Sequence, residues 1–274
     1  MIVQITNLSY TYPDGTQGLR DIHLHIPPGR RTAVLGMNGS GKTTLLYHLN
    51  GTFLPQQGQV NVLGTDVTKK TLASLRRQVG FLFDYPDHQL FATSVERDVA
   101  FGPRNFGCET SEINNRVEQA LVQVSMENLR EKPPYQLSLG QKKRAAIAGV
   151  IAMEPTLMVC DEPFSGLDAH AQEQFQIILD QWVQEGRSMV FSTHDIDMAY
   201  AWADDAVVMA EGQVLSHGPV SEVLENVEML QTAKLTPPML VQLFSHHHPK
   251  PRNMTDALGI MEKHGLTRIN EEVN

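Results

Sequence analysis

Residues 21–27, DIHLHIP, alternate in polarity, with Ile22, Leu24 and Ile26 on one face and His23 and His25 on the other. A period of two predicts a half-buried strand. A second short strand, RTAVLG (31–36), ends at a glycine-rich turn. GKTTLLYHLNG (41–51) then reads as a helix closed by Gly51. Residues 52–67 are turn-and-strand material, and VGFLFDYPDHQLF (79–91) is an apolar strand that runs into a polar turn, with Asp84 at its mouth. From about 93 to 153 the pattern becomes helical. Thr93 and Glu96 have the spacing of a capping box. Ile113, Val117, Ala120, Leu121 and Val124 recur at helical spacing behind Ser111 as a possible cap.

After this block the alternation resumes with a strand at TLMVC (156–160), a helix over 169–185, a strand at SMVFS (188–192) and a helix over 195–203. Two short strands flank Glu211 and Gly212. Strands alternating with helices predict an α/β domain with a parallel sheet and helices on its faces. The expectation is therefore one α/β domain over 1–218, with an inserted α-helical subdomain at about 86–153. A small C-terminal helical extension over 219–274 follows, broken at LTPP and HHHPKP.

Composition narrows the class. Hydrophobic residues make up 41% and charged residues 19%, which suits a soluble protein with a core. A net charge of -9 gives no general attraction to nucleic acid or anionic lipid. The two cysteines, Cys108 and Cys160, match no metal motif. Cys160 lies in an apolar run and predicts a buried thiol, and the absence of a disulfide framework fits a reducing compartment. The start, MIVQITNLSY, has neither the basic end nor the apolar core of a signal peptide. The longest apolar run, AAIAGVIAM (145–153), is too short to span a bilayer, so work at a membrane would need another chain to hold this one there.

GMNGSGKT, Gly36 to Thr43, fits the phosphate-loop pattern between a strand and a helix. Its glycines let backbone N–H groups curl round phosphate oxygens, and the helix start adds partial positive charge. Lys42 can reach the β- and γ-phosphates, and Thr43 offers a hydroxyl to Mg²⁺. The candidate nucleotide-holding set here is Gly36, Asn38, Gly39, Ser40, Gly41, Lys42, Thr43 and Thr44. TLMVCDEP ends a buried strand in two acids. Asp161 can hold Mg²⁺, and Glu162 can accept a proton from an attacking water.

In this order of motifs the chain resembles the ATP-binding cassette (ABC) ATPase family, over residues 2 to about 218. YQLSLGQKKR (135–144) is similar to the family's L-S-G-G-Q signature, with Leu139 in place of the first glycine of the pair and Ser138, Gly140 and Gln141 matching. The resemblance implies a P-loop NTPase (RecA-like) core with antiparallel β elements. It implies that the signature caps the γ-phosphate held by a second copy. It also implies that SGLD, ending at Asp168, communicates across that dimer, that His194 in STHD contacts the γ-phosphate, and that Tyr12 stacks on adenine. ATP and Mg²⁺ are the implied cofactors.

Asp84 stands where the family keeps a glutamine that contacts Mg²⁺ and the attacking water. A carboxylate can keep the metal contact but cannot donate a hydrogen bond as an amide does. Its other reading is a cap on the turn before Pro86. Gln89, five residues on, is a candidate substitute for that glutamine, though its spacing suits a partner-facing role better. YPDHQLFATSVERDVAFGP (85–103) resembles the ATPases of energy-coupling factor (ECF) transporters, and the tail is most similar to their cobalt and nickel import branch. That implies an ATP-sandwich homodimer on the cytoplasmic face of the cell membrane. A transmembrane coupling protein would dock near 85–106, against Leu90, Phe91, Phe101 and Phe106, alongside a substrate-binding membrane subunit. No nucleic acid is expected. Vitamin import, a DNA-linked ABC ATPase and metal binding by His246, His247, His248 and His264 stand as alternatives.

Overall fold

The computed structural model describes residues 1–264. The chain opens with β1 (Val3–Thr11) and β2 (Gln17–Ile26), followed by β3 (Arg31–Leu35) and α1 (Lys42–Leu49). Next come β4 (Gln57–Val62), β5 (Thr65–Asp66), α2 (Leu72–Gln78) and β6 (Val79–Leu82). The helical insertion contains α3 (Val95–Asn105), α4 (Thr110–Gln123) and α5 (Leu139–Ile151). The alternation resumes with β7 (Leu157–Cys160), α6 (Ala169–Gln184), β8 (Ser188–Thr193), α7 (Ile196–Trp202), β9 (Asp205–Ala210) and β10 (Gln213–Pro219). The tail adds α8 (Val220–Leu224), α9 (Val227–Thr232), α10 (Met239–Leu243) and α11 (Met254–Lys263).

Two sheets result. An antiparallel sheet runs β2-β1-β4-β5, and a second runs β10-β9-β3-β8-β7-β6. In the second, β9, β3, β8, β7 and β6 are parallel and β10 closes the edge antiparallel to β9. The DIHLHIP alternation is realised in β2, where Ile22, Leu24 and Ile26 are buried while His23 and His25 are exposed.

The parallel sheet is buried on both faces, so successive residues of one strand feed different cores. Val34, Val159, Val190 and Val207 pack with α1 and the antiparallel sheet. Ala33, Leu35, Met158, Cys160 and Phe191 pack with the helical insertion, α6 and the start of the tail. This arrangement leaves the C-terminal ends of β3, β7 and β8 side by side, where a parallel sheet presents its chemistry.

Two caps differ from expectation. α3 starts after Ser94 without a side-chain cap. Thr93 Oγ1 instead accepts from Arg97 Nη1 at 2.9 Å, and Glu96 is drawn to Arg130 at 2.5 Å. An available guanidinium outcompetes the backbone N–H for both side chains. In α4, Ser111 lies inside the first turn, which begins one residue earlier after Glu109.

The tail is fixed to the domain. Tyr200 Oη donates to Glu225 Oε1 at 2.9 Å, and Lys250 Nζ reaches Glu225 Oε2 at 2.7 Å. Val220, Val223 and Leu224 of α8 enter the core of the insertion side. The stretch beyond 264 of the expected extension lies outside the described residues.

Candidate active site

The phosphate loop leaves β3 and folds over the start of α1. Gly39 and Gly41 have φ of 81° and 102°, in the left-handed region that favours glycine. At Gly41 a Cβ would also meet the Gly18 carbonyl oxygen at 2.8 Å, so two constraints demand glycine there. Lys42 is buried, and its Nζ donates to the Gly36 carbonyl at 2.8 Å and points toward that of Met37 at 3.4 Å. The ammonium thus bridges the two sides of its own loop. Burial pulls its pKa down, against the opposing pull of Glu162 and Asp161.

The acids at the end of β7 are held tightly. Asp161 accepts from Thr43 Oγ1 at 2.8 Å through Oδ2 and from Ser192 Oγ at 2.6 Å through Oδ1. Ser192 Oγ in turn accepts the Glu162 backbone N–H at 2.8 Å. Glu162 has φ of 44°, a left-handed conformation uncommon for residues other than glycine, which turns it away from the strand. Its Oε2 lies 2.9 Å from His194 Nδ1. Sequence reasoning missed Ser192. It lies in the STHD string already singled out, but no spacing rule marks a serine that ties one acid's side chain to the next acid's backbone.

Tyr12, Asn38, Gly39, Lys42, Thr43, Thr44, Asp84, Asp161 and Glu162 line one cavity of about 420 Å³. Tyr12 stands at its edge with its hydroxyl 2.7 Å from Thr44 Oγ1, and Tyr10 packs edge-on to it at 5.2 Å. Gly36 and Ser40 are not on the cavity wall. They pack under the loop, where a Cβ on Gly36 would come within 2.4 Å of Ser40 Oγ.

Asp84 lines the cavity, and among the described residues its side chain makes no hydrogen bond to the turn at Pro86–His88, whose N-cap position is Tyr85. Burial raises its pKa; Lys143 pulls the other way, and Asp161 and Glu162 add to the rise. Gln89 faces inward rather than toward a partner. Its amide donates to the Ala146 carbonyl at 3.1 Å and its Oε1 accepts the Phe83 N–H at 3.4 Å. Phe91 and Phe101 meet edge to face at 4.7 Å and are 65% and 47% exposed. Leu90 packs against the core instead, and the Phe106 ring is covered by Arg77 at 4.8 Å.

Ser138, Gly140 and Gln141 stand apart from this cavity. They form the start of α5, where Ser138 Oγ accepts the Gln141 N–H at 3.3 Å and Gln141 Oε1 accepts the Ser138 N–H at 3.0 Å. With Asp168, which caps α6 by accepting the Ala171 N–H at 2.8 Å, they line a second recess of about 570 Å³. Leu139 leans over Gly166, where a Cβ would come within 2.8 Å of its Cδ2. Among the described residues no group of three or more His, Cys, Asp and Glu could hold a metal, though the rings of His247 and His264 lie 5.1 Å apart. No helix among them is long and apolar enough to cross a membrane.

Comparison with known proteins gives this geometry its context. Residues 19–165 match the ABC transporter family. The chain is 45% identical over 266 residues to the energy-coupling factor transporter ATP-binding protein EcfA of Carboxydothermus hydrogenoformans, covering 96% of this chain and 98% of the relative. EcfA of Methanosphaera stadtmanae is 42% identical over 245 residues, covering 89% and 88%. Among solved structures, cbiO1 of Clostridium perfringens, part of the ABC transporter complex cbiONQ, superposes with a TM-score of 0.76 at 38% identity, covering 89% and 98%. A dimeric ATP-binding cassette in a post-hydrolysis state bound to ADP and Pi gives a TM-score of 0.72 at 26% identity, covering 80% and 98%. With its phosphate loop, paired acids and signature helix arranged on this fold, the chain belongs to the ABC transporter ATP-binding family, as an ATP-hydrolysing protein of the energy-coupling factor type.

Proposed function

We propose that this ATPase powers an importer for a transition-metal ion, cobalt or nickel. It would act on the cytoplasmic face of the cell membrane beneath a transmembrane coupling protein and a substrate-binding membrane subunit. One observation carries the hydrolytic part: Lys42, Thr43, Asp161 and Glu162 converge on one cavity, with His194 on the Glu162 carboxylate.

ATP fits this cavity by chemistry. The loop N–H groups and Lys42 oppose phosphate charge, and Tyr12 offers a flat face at the edge. Mg²⁺ also fits the donor set. Thr43 and Asp161 present hard oxygens 2.8 Å apart, with the Asp84 carboxylate on the same wall. Bound there, the ion would neutralise phosphate charge. Glu162 then takes the proton of the attacking water, and His194 orients the Glu162 carboxylate and meets the γ-phosphate.

The signature recess and the phosphate-loop cavity are separate halves on one chain. Two copies placed head to tail would complete two ATP sites, each with one chain's loop and the other's Ser138, Gly140 and Gln141. Each chain keeps its own hydrolytic set, which supports a homodimer. The exposed pair Phe91 and Phe101 supports docking of membrane-protein helices on the insertion.

The metal cargo is supported by the tail's resemblance to the cobalt and nickel branch. A vitamin cargo is the second reading, because the EcfA relatives are named for the energy-coupling factor alone. Accumulation of labelled Co²⁺ and Ni²⁺ in cells carrying this chain with its membrane partners tests the choice, with Glu162→Gln as control. Uptake that vanishes in the control establishes metal import. A folded complex with Mg²⁺-dependent ATPase activity and no uptake of either ion moves the assignment to vitamins.

A further inference from the structure

α5 begins at the signature residues and continues behind both loops that carry the site's acids. Lys143, on its second turn, is 2% exposed. No carboxylate lies within salt-bridge distance of it among the described residues. Its Nζ donates instead to the backbone carbonyls of Glu162 at 3.1 Å and Pro163 at 3.0 Å. A buried ammonium is costly unless hydrogen-bonded, so this one is held where those two carbonyls lie. Glu162 is the residue with the left-handed backbone, and Ser192 already holds its N–H. Its peptide units are thus gripped on both sides. Neighbouring residues of α5 grip the other loop: Lys142 Nζ pairs with Asp87 at 2.6 Å, and the Ala146 carbonyl accepts from Gln89.

We infer that Lys143 is a positioning residue for Glu162. Its buried ammonium clamps the backbone that aims the Glu162 carboxylate, and it joins that carboxylate to the signature segment at the start of α5. The inference rests on the ATP-sandwich reading given above. In that arrangement Ser138, Gly140 and Gln141 meet the nucleotide held by the second copy, while Glu162 works on the nucleotide held by its own loop. Lys143 is then a mechanical link between the two ATP sites within one chain. Docking of the signature on one nucleotide displaces α5, and the clamp passes that displacement to the base at the other. The field at Lys143 agrees with this placement: burial lowers its pKa, while Asp84 and Glu162 oppose that shift.

The test compares Lys143→Met, Lys143→Arg and Glu162→Gln in the purified full-length chain, reading steady-state ATP hydrolysis, binding of a fluorescent ATP analogue and thermal unfolding. Lys143→Met should lower kcat by roughly 100-fold, the scale of a small misplacement of a catalytic group, with nucleotide affinity little changed. Its Hill coefficient for ATP should fall toward unity, and Lys143→Arg should recover part of both losses. In a Glu162→Gln background, Lys143→Met should lower the residual turnover no further, because both act on one carboxylate. Wild-type kcat and Hill coefficient in Lys143→Met would overturn the inference. So would a loss that multiplies unchanged with that of Glu162→Gln, or one that follows only the folded fraction. If Lys143→Met does not fold, Lys143→Gln, which keeps one donor, is held to the same comparison. A Glu162→Gln variant that hydrolyses ATP like the wild type would instead sink the assignment of the base itself.

Discussion

Thr43 Oγ1 donates to Asp161 Oδ2 across 2.8 Å, joining the first turn of α1 to the end of β7. Two oxygens distant in sequence thus face one cavity from a helix and a strand, the arrangement a hard divalent cation takes up. Thr43→Val should raise the Mg²⁺ concentration for half-maximal hydrolysis by about 10- to 100-fold, the scale of weakened metal support. A Mg²⁺ titration of ATPase activity checks this, and an unshifted midpoint removes Thr43 from the metal side.

Glu162→Gln keeps the shape of the side chain and removes its basicity. Turnover should fall by roughly 10²- to 10⁴-fold, the range for loss of a general base, while ATP binding persists. Rapid-quench hydrolysis beside equilibrium nucleotide binding separates the two, and a parallel fall in affinity would argue for a binding role instead.

Tyr12 is predicted to hold the base rather than the phosphates. Tyr12→Ala should cost about 1–3 kcal/mol of ATP affinity, the value of base–aromatic stacking, and Tyr12→Phe should restore it. Inorganic triphosphate should bind Tyr12→Ala and the wild type alike. Equal weakening for both ligands would show that the residue acts on the loop, through the contact of its hydroxyl with Thr44.

The Asp84 carboxylate lies on the cavity wall, where the family resemblance implies an amide. Asp84→Gln should alter either the Mg²⁺ midpoint or turnover, because an amide is a weaker ligand and a better donor. Wild-type values for both would take Asp84 out of the metal-side set.

His48 gives a pH dependence of stability. Its side chain is fully buried, with Nδ1 2.7 Å from the Thr44 carbonyl and no partner on Nε2. Nδ1 therefore donates and Nε2 stays unprotonated. Burial holds the folded pKa below the ordinary 6.5, so below that pH the unfolded chain binds the extra proton and the folded chain does not. Stability should be lost as pH falls through 6.5 and below, and be unaffected by this group above it. Thermal unfolding between pH 8 and 5 should show a shallower acid slope for His48→Leu.

Much of the site was legible in the sequence because its chemistry is local. Gly36 to Thr43 is one turn whose glycines, lysine and threonine must be consecutive for the backbone to wrap a phosphate, and the two acids close a single strand. The period-two pattern of β2 and the apolar runs of β3, β7 and β8 likewise follow from nearest-neighbour spacing. The sequence did not show which caps would form, since Thr93 and Glu96 met arginines from their own helix and from beyond α4. Nor did it show that Gln89 turns inward, or that Ser192 and Lys143 grip the backbone of Glu162 from opposite sides. The contacts of Gln89, Ser192 and Lys143 with Ala146 and Glu162 join residues 19 to 57 positions apart, satisfied only when β6, β7, β8 and α5 pack together. Residue types and spacings decided that the chain would bind and cleave a nucleoside triphosphate. The tertiary packing decided where the base points and what holds it there, because a buried donor takes whichever carbonyl the fold brings to it.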